Sequence, residues 1–202
     1  MASEPDVILN TLNGDSNTAF FSRLRAAGVS PDHIPTVSFS IGENELRYLD
    51  AELSEGDYAS WNYFQSLDTF NNREFVAAIQ ARFGENRTAS DPMESAYIGV
   101  HLWARAANRA GTIDTSAVLG ALPSQTFAAP HGPVAIDGNT FHTWKSVHIG
   151  RIRRNGQFDV VWQSETPVQP SPFPLSRSRE SWEALLENHF QSWGENWSGD
   201  DS

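Results

Sequence analysis

Apolar positions in the first third of the chain switch between two periods. Val7 to Leu12 (VILNTL) is a short β-branched run that predicts a strand, and the cluster Asn13, Gly14, Asp15, Ser16 predicts a turn after it. Phe20, Leu24 and Ala27 then recur at helical spacing until Gly28. Pro31 and Pro35 bracket a connector, Thr36 to Ser40 (TVSFS) alternates as a second strand, and Ile41, Gly42 and Glu43 form the loop behind it. Leu46, Leu49 and Leu53 share one face of a predicted helix closed by Gly56, and Tyr58 to Phe64 (YASWNYF) predicts a third, aromatic-rich strand. The order βαβαβ predicts a parallel sheet flanked by helices, an α/β architecture whose ligand-facing loops leave the carboxyl ends of the strands.

The middle of the chain is more helical. Phe75, Ile79 and Phe83 repeat every four residues up to Gly84. Asp91-Pro92-Met93-Glu94 has the makings of a helix start, with Asp91 as cap and Pro92 in the first turn, and the pattern runs to Ala110 before Gly111. Asp114 to Leu122 predicts another short helix ended by Pro123. Gly132 to Ile136, Val147 to Arg153 and Phe158 to Trp162 predict strands, with Asp137-Gly138 and Asn155-Gly156 as turns. Pro167 to Pro174 predicts an extended linker before a last amphipathic helix carrying Trp182, Leu185, Leu186 and Trp193.

Composition narrows the function classes. At 202 residues with 39% hydrophobic positions the chain is long enough to bury a core without disulfides or metal staples. Fourteen basic against 25 acidic residues give a formal charge of -11, which disfavours nucleic acid and anionic lipid as partners. With no cysteine there is no disulfide framework, thiolate zinc site or cysteine nucleophile. The opening MASEPDVILN carries Glu4 and Asp6 where an export signal needs basic residues and an apolar run, so the chain as written is expected to remain cytoplasmic.

Catalytic and metal signatures are weak. His33, His101, His131, His142, His148 and His189 are scattered, and none pairs with another at metal-ligand spacing, so no metal and no cofactor is expected. Ser60 and Ser95 lack the glycines of a nucleophile elbow, and Lys145 is the only lysine. Glu43 with Glu45 could serve acid–base chemistry or be solvated loop charge. The loops after the first two strands are more informative: Thr11, Asn13 and Ser16 follow one, and Ser38, Ser40, Gly42 and Glu43 follow the other. Either these are small polar groups facing a ligand, or Asn13 and Ser16 only make a turn while Ser40 caps the Glu43 helix. Trp61 and Tyr63 could likewise form an aromatic wall or pack in a core, since Ser60 and Asn62 interleave with them.

Three segments carry a family likeness. DVILNTLNGDSNTAFFSRLRAAG, IPTVSFSIGENELRYLDAELSEGDYASWNYFQSLDT and GPVAIDGNTFHTWKSVHIGRIRRNGQFDVVWQSETPVQPSPFP resemble the later half of urea-type ABC transporter substrate-binding proteins and of the short-chain amide sensors that regulate amidase expression. The resemblance implies a type I periplasmic-binding fold, two α/β lobes joined by crossovers that close on a ligand between them. It implies a binder of urea or a short amide, not an enzyme, working with an ABC permease. The alternative it allows is a cytoplasmic amide sensor.

By this resemblance residues 1–62 look like part of the second lobe, 63–143 like part of the first lobe and 144–175 like a hairpin returning to the second, with 176–202 as the C-terminal helix. The family's ligand contacts fall on the two loops singled out above, which makes Thr11, Asn13, Ser40, Gly42 and Glu43 expected ligand-binding residues, and Trp61 and Tyr63 of the aromatic strand are expected to join them as a wall. The family is periplasmic at full length, and its opening βα units and export signal precede the part matched here. The chain is therefore expected to present at most one and a half walls of the cleft and to bind ligand only weakly by itself. Self-association or pairing with a separate N-terminal half is expected to cover its open edges.

Overall fold

The computed structural model describes residues 5–197; residues 1–4 and 198–202, the ends of the first and last expected segments, lie outside the described residues. The chain divides into two compact units, Met1–Gln169 and Pro170–Ser202. That boundary falls inside the Pro-rich stretch expected as a linker.

The first unit is built on a five-stranded sheet in the order β1-β2-β3-β7-β8. Strands β1 (Ile8–Asn10), β2 (Thr36–Ser38) and β3 (Tyr58–Trp61) run parallel, as the alternation of elements predicts, with α1 (Ser16–Ala26) in the first crossover. β7 (His148–Ile152) adds to β3 antiparallel, and β8 (Phe158–Gln163) returns beside it through the Asn155-Gly156 turn. Gly156 has φ +74°, a left-handed conformation that an Asn-Gly turn accommodates.

The second crossover departs from expectation. Leu46, Leu49 and Leu53 do not share one helix; two short ones form, α2 (Glu43–Leu46) and α3 (Ala51–Ser54). The break follows from Asp50, whose carboxylate accepts the Glu52 N–H at 3.0 Å and restarts the helix, so local side-chain bonding displaces backbone continuity. Leu46 and Leu49 are still both buried.

Helices α4 (Phe70–Phe83), α5 (Asp91–Ala110) and α6 (Thr115–Ala121) occupy the middle. The Thr69 hydroxyl caps α4 and Asp114 caps α6. The expected cap of α5 shifts by one: Ser90 holds that position and Asp91 is the first helical residue. A three-stranded antiparallel sheet follows, β4 (Thr126–Ala129), β5 (Gly132–Ile136) and β6 (Thr143–Trp144). Only β5 is predicted; β4 is alanine-rich and β6 has two residues, so neither carries a pattern of its own. Thus the strands of 1–62 and of 148–163 share one sheet, and 63–143 carry the three helices and most of the other.

Three buried clusters hold these layers. Phe21, Ile41, Leu46, Leu49, Ala59, Phe64, Ile152 and Phe158 pack under the large sheet. Ile98 and Leu102 of α5 pack on Ala129, Val134 and Ile136. Tyr63, Phe75 and Ala89 form the third. The second unit holds α7 (Arg179–Ser192), capped by the Ser178 hydroxyl at 3.2 Å from the Ser181 N–H. Among the described residues no helix is long and apolar enough to cross a membrane.

Candidate functional site

At the carboxyl ends of β1, β2 and β3 the chain makes a cavity of about 210 Å³. Its shape is set by buried amides. Asn10, at the end of β1, donates to Asn17 Oδ1 at 2.9 Å and to Ser38 Oγ at 3.1 Å, and accepts the Leu12 N–H at 3.0 Å. Asn17 in turn donates to the carbonyls of Leu12 and Gly14, at 3.0 and 3.2 Å. These bonds fold the first loop back so that Asn13 and Gly14 face the cavity. The Ser40 hydroxyl donates to the Leu12 carbonyl and ties the second loop to the first.

The second loop delivers the floor. Gly42 is the N-cap of α2, its N–H bonded to Glu45 Oε2 at 2.9 Å. A Cβ at this position would sit 3.3 Å from that oxygen, close enough that the Glu45 side chain would have to shift. Trp61 donates its indole N–H to the Ile41 carbonyl at 2.8 Å, which fixes the ring as a side wall. Glu43 is 1% exposed; its Oε1 accepts the Gln65 N–H at 2.6 Å and its Oε2 has no hydrogen-bond partner among the described residues. Tyr63 is fully buried, its ring edge-on to Phe75 at 5.9 Å, and its hydroxyl is also without a partner. Two buried polar groups left unpaired on residues that line one small cavity are costly unless something else bonds them.

Burial pushes the Glu43 carboxyl up to about 7, against the opposing bonds from its own and the Gln65 backbone. Burial also raises the Tyr63 phenol, helped by the carboxylates of Glu43, Glu94 and Asp91, so the hydroxyl stays a neutral donor. The last wall is Ser90, Asp91 and Pro92 at the start of α5. Asn44 Nδ2 holds Ser90 Oγ at 3.1 Å, Gln65 Oε1 accepts the Ala89 N–H at 2.7 Å, and Asp91 Oδ2 accepts the Asn62 N–H at 3.2 Å. Burial raises the Asp91 carboxyl and Lys145 opposes the shift.

Behind Asp91 lies a second layer of charge. Glu94 and His131, both buried, meet at 2.5 Å between Oε1 and Nδ1. Lys145 Nζ stands 3.7 Å from Glu94 Oε2 and donates to Ser95 Oγ at 2.7 Å. His148 donates from Nδ1 to the Asn62 carbonyl at 2.9 Å, and burial lowers its pKa. Among the described residues no group of three or more His, Asp or Glu side chains is placed to hold a metal ion.

Of the residues singled out in the sequence, Asn13, Ser40, Gly42, Glu43, Trp61 and Tyr63 line this one cavity. Thr11 is exposed and is not among the lining residues. Glu43 is not the solvated loop charge that its neighbour Glu45 suggested, and Ser40 does not cap the Glu43 helix. Gly14, Glu45, Ser90, Asp91 and Pro92 were missed as cavity residues. The signal for Asp91-Pro92 was present, but it reads as a helix start, and nothing local says that this start abuts the sheet.

Residues 1–179 match the family described as periplasmic binding protein domain. Among curated proteins the chain is 34% identical over 124 residues to the limonene hydroxylase of Geobacillus stearothermophilus, covering 61% of this chain and 23% of that protein. It is 25% identical over 116 residues to Leu/Ile/Val-binding protein homolog 6 of Brucella abortus, covering 57% and 27%. Among solved structures, an amino acid ABC transporter substrate-binding protein from Pseudomonas fluorescens superposes with TM-score 0.72 at 20% identity, over 83% of this chain and 46% of that one. A solute-binding protein of an ABC transporter from R. palustris in complex with 4-hydroxybenzoate superposes with TM-score 0.71 at 21% identity, over 85% and 48%. The chain thus spans about a quarter of these curated relatives and just under half of these solved structures.

Proposed function

The chain belongs to the periplasmic binding protein domain family, and from that premise we propose that it contributes to the solute site of an ABC importer, with urea or a short-chain amide as the solute and the importer's permease as partner. The observation that carries this reading is that two residues lining the cavity each hold a buried polar atom without a partner among the described residues, the Tyr63 hydroxyl and Glu43 Oε2. An amide offers one carbonyl acceptor and N–H donors. The neutral Tyr63 hydroxyl supplies a donor for the carbonyl, and Glu43 supplies an acceptor for an N–H. The cavity volume, about 210 Å³, lies below the ~300–1,000 Å³ of drug-sized ligand sites, which favours a compact solute. The ends of β1 to β3 are also where open parallel sheets place their ligands.

The solute class differs from those named for the relatives, which are Leu/Ile/Val and 4-hydroxybenzoate. Both of those carry a carboxylate, whereas the lining here is itself acidic, with Glu43, Glu45 and Asp91. The likeness to limonene hydroxylase covers under a quarter of that protein and brings no activity to this chain. Calorimetric titration of the full chain with urea, acetamide and leucine tests the reading. Saturable heat with urea or acetamide is expected; saturation by leucine alone moves the site to the amino-acid class and ends the amide reading.

A further inference from the structure

We propose that this cavity selects by charge, taking a small planar cation of the guanidinium or amidinium class in preference to the neutral urea or amide of the same outline. The inference rests on the reading that the cavity binds a compact solute rich in N–H groups, and it narrows that class. Three carboxylates line the cavity, those of Glu43, Glu45 and Asp91, and no lysine, arginine or histidine is among the lining residues.

The three are not equivalent. Glu45 commits Oε2 to the Gly42 N–H. Asp91 accepts from Asn62 and from the Ser95 hydroxyl, and Lys145 and His131 act on it from behind the wall. Glu43 has backbone N–H groups but no cation: one oxygen takes the Gln65 N–H, and the other is buried without a partner among the described residues. The charged groups acting on it from the elements around it are Glu45 and Asp91, both of like sign. The Tyr63 phenol beside it is neutral.

A buried carboxylate without a counter-charge is expensive to ionise. A neutral amide can bond the free oxygen but leaves the charge uncompensated. A guanidinium or amidinium group meets both needs, because its N–H donors carry the positive charge to the oxygen they bond. Burial raises the Glu43 carboxyl to about 7, so below that pH such a cation must displace a proton on binding. Urea has no such requirement. A solute bearing its own carboxylate would face three groups of its own sign.

The test compares isosteres on the full chain: guanidinium chloride against urea, and acetamidinium chloride against acetamide, titrated at matched ionic strength. Each cation is expected to bind about tenfold more tightly than its neutral partner at about pH 8. With Glu43 ionising near 7, cation affinity should fall about tenfold between about pH 8 and about pH 6, and repeating the titration at about pH 6 in buffers of different ionisation enthalpy should show close to one proton released with the cation and none with urea. Glu43→Gln keeps an oxygen for the Gln65 N–H and is expected to erase the cation preference; should that variant misfold, the wild-type comparison decides alone. Neutral ligands binding as tightly as their cations would overturn charge selection and leave the amide reading standing. Failure of both members of both pairs to bind would overturn both.

Discussion

Glu43 links the cavity to stability. Its carboxyl is raised from 4.5 to about 7 in the fold, so between those values the folded chain holds a proton that the unfolded chain has lost. The folded state is therefore favoured most below the lower value and loses this contribution as pH rises through the upper one, by about 3 kcal/mol in all. Thermal melts followed by circular dichroism should show stability falling from about pH 5 to about pH 8 in the wild type, with a flatter profile for Glu43→Gln. A profile unchanged by the substitution would place the titration elsewhere. Tyr63 makes the complementary case. Its unpartnered hydroxyl costs about 1–3 kcal/mol while the cavity lacks a ligand, so Tyr63→Phe should raise the melting temperature and weaken urea or acetamide binding in the same protein. A variant that binds as well as the wild type would remove Tyr63 from the site.

Elements are joined by a few groups that serve several at once. Asp57, just before β3, is fully buried, pairs with Arg25 of α1 and accepts the Thr36 N–H at the start of β2 at 2.7 Å. Arg25 also donates to the carbonyls of Leu53 and Val29, both at 2.9 Å. One carboxylate therefore fixes a helix and two strands, and its loss would strand a guanidinium in a partly buried setting. Asp57→Ala is expected to cost about 3–5 kcal/mol in thermal or pressure unfolding; a cost below about 1 kcal/mol would mean that Arg25 finds other partners. On the opposite side of β3, Gly150 lets the sheet approach its aromatic core. A Cβ there would lie 2.9 Å from both Phe64 Cζ and Phe158 Cβ, so Gly150→Ala should destabilise by about 1–3 kcal/mol through overpacking. An unaffected melting temperature would show that the Phe64–Phe158 pair can slide apart.

The whole chain comprises two units of different character. Met1–Gln169 contains the sheets, the buried clusters and the cavity, while Pro170–Ser202 contains α7, which has no buried residue among those described. The stretch between Gln169 and α7 is largely exposed, with Leu175 at 97%. Limited digestion by trypsin and chymotrypsin should cut first between 170 and 179 and release a large fragment that retains every cavity residue. Mass spectrometry of the first product checks this; an initial cut at the Asn155-Gly156 turn would show that the β7–β8 hairpin opens more readily than the connector.

The order of elements was legible because each carries its own period and punctuation. The β-branched runs at Val7 and Thr36 mark strands, the Asp91-Pro92 start and Gly111 stop bound α5, and Asn155-Gly156 makes a hairpin between β7 and β8. The loops behind the first two strands stood out on the same grounds, since a parallel sheet presents its loops at one end. Hydrophobic period could not reveal the break at Asp50, because a side-chain bond to the Glu52 N–H leaves the leucine spacing unchanged, nor the two-residue β6, whose partner is β5. It also could not tell Glu43 from Glu45. Two acidic residues on one short helix look alike in sequence, yet tertiary packing buries one against Gln65 and Tyr63 and leaves the other half-exposed at the cap. Burial, and with it the unpaired oxygen and the raised pKa, comes from residues brought in by distant segments, so only the folded chain decides which of the two carboxylates is left buried with an unpartnered oxygen.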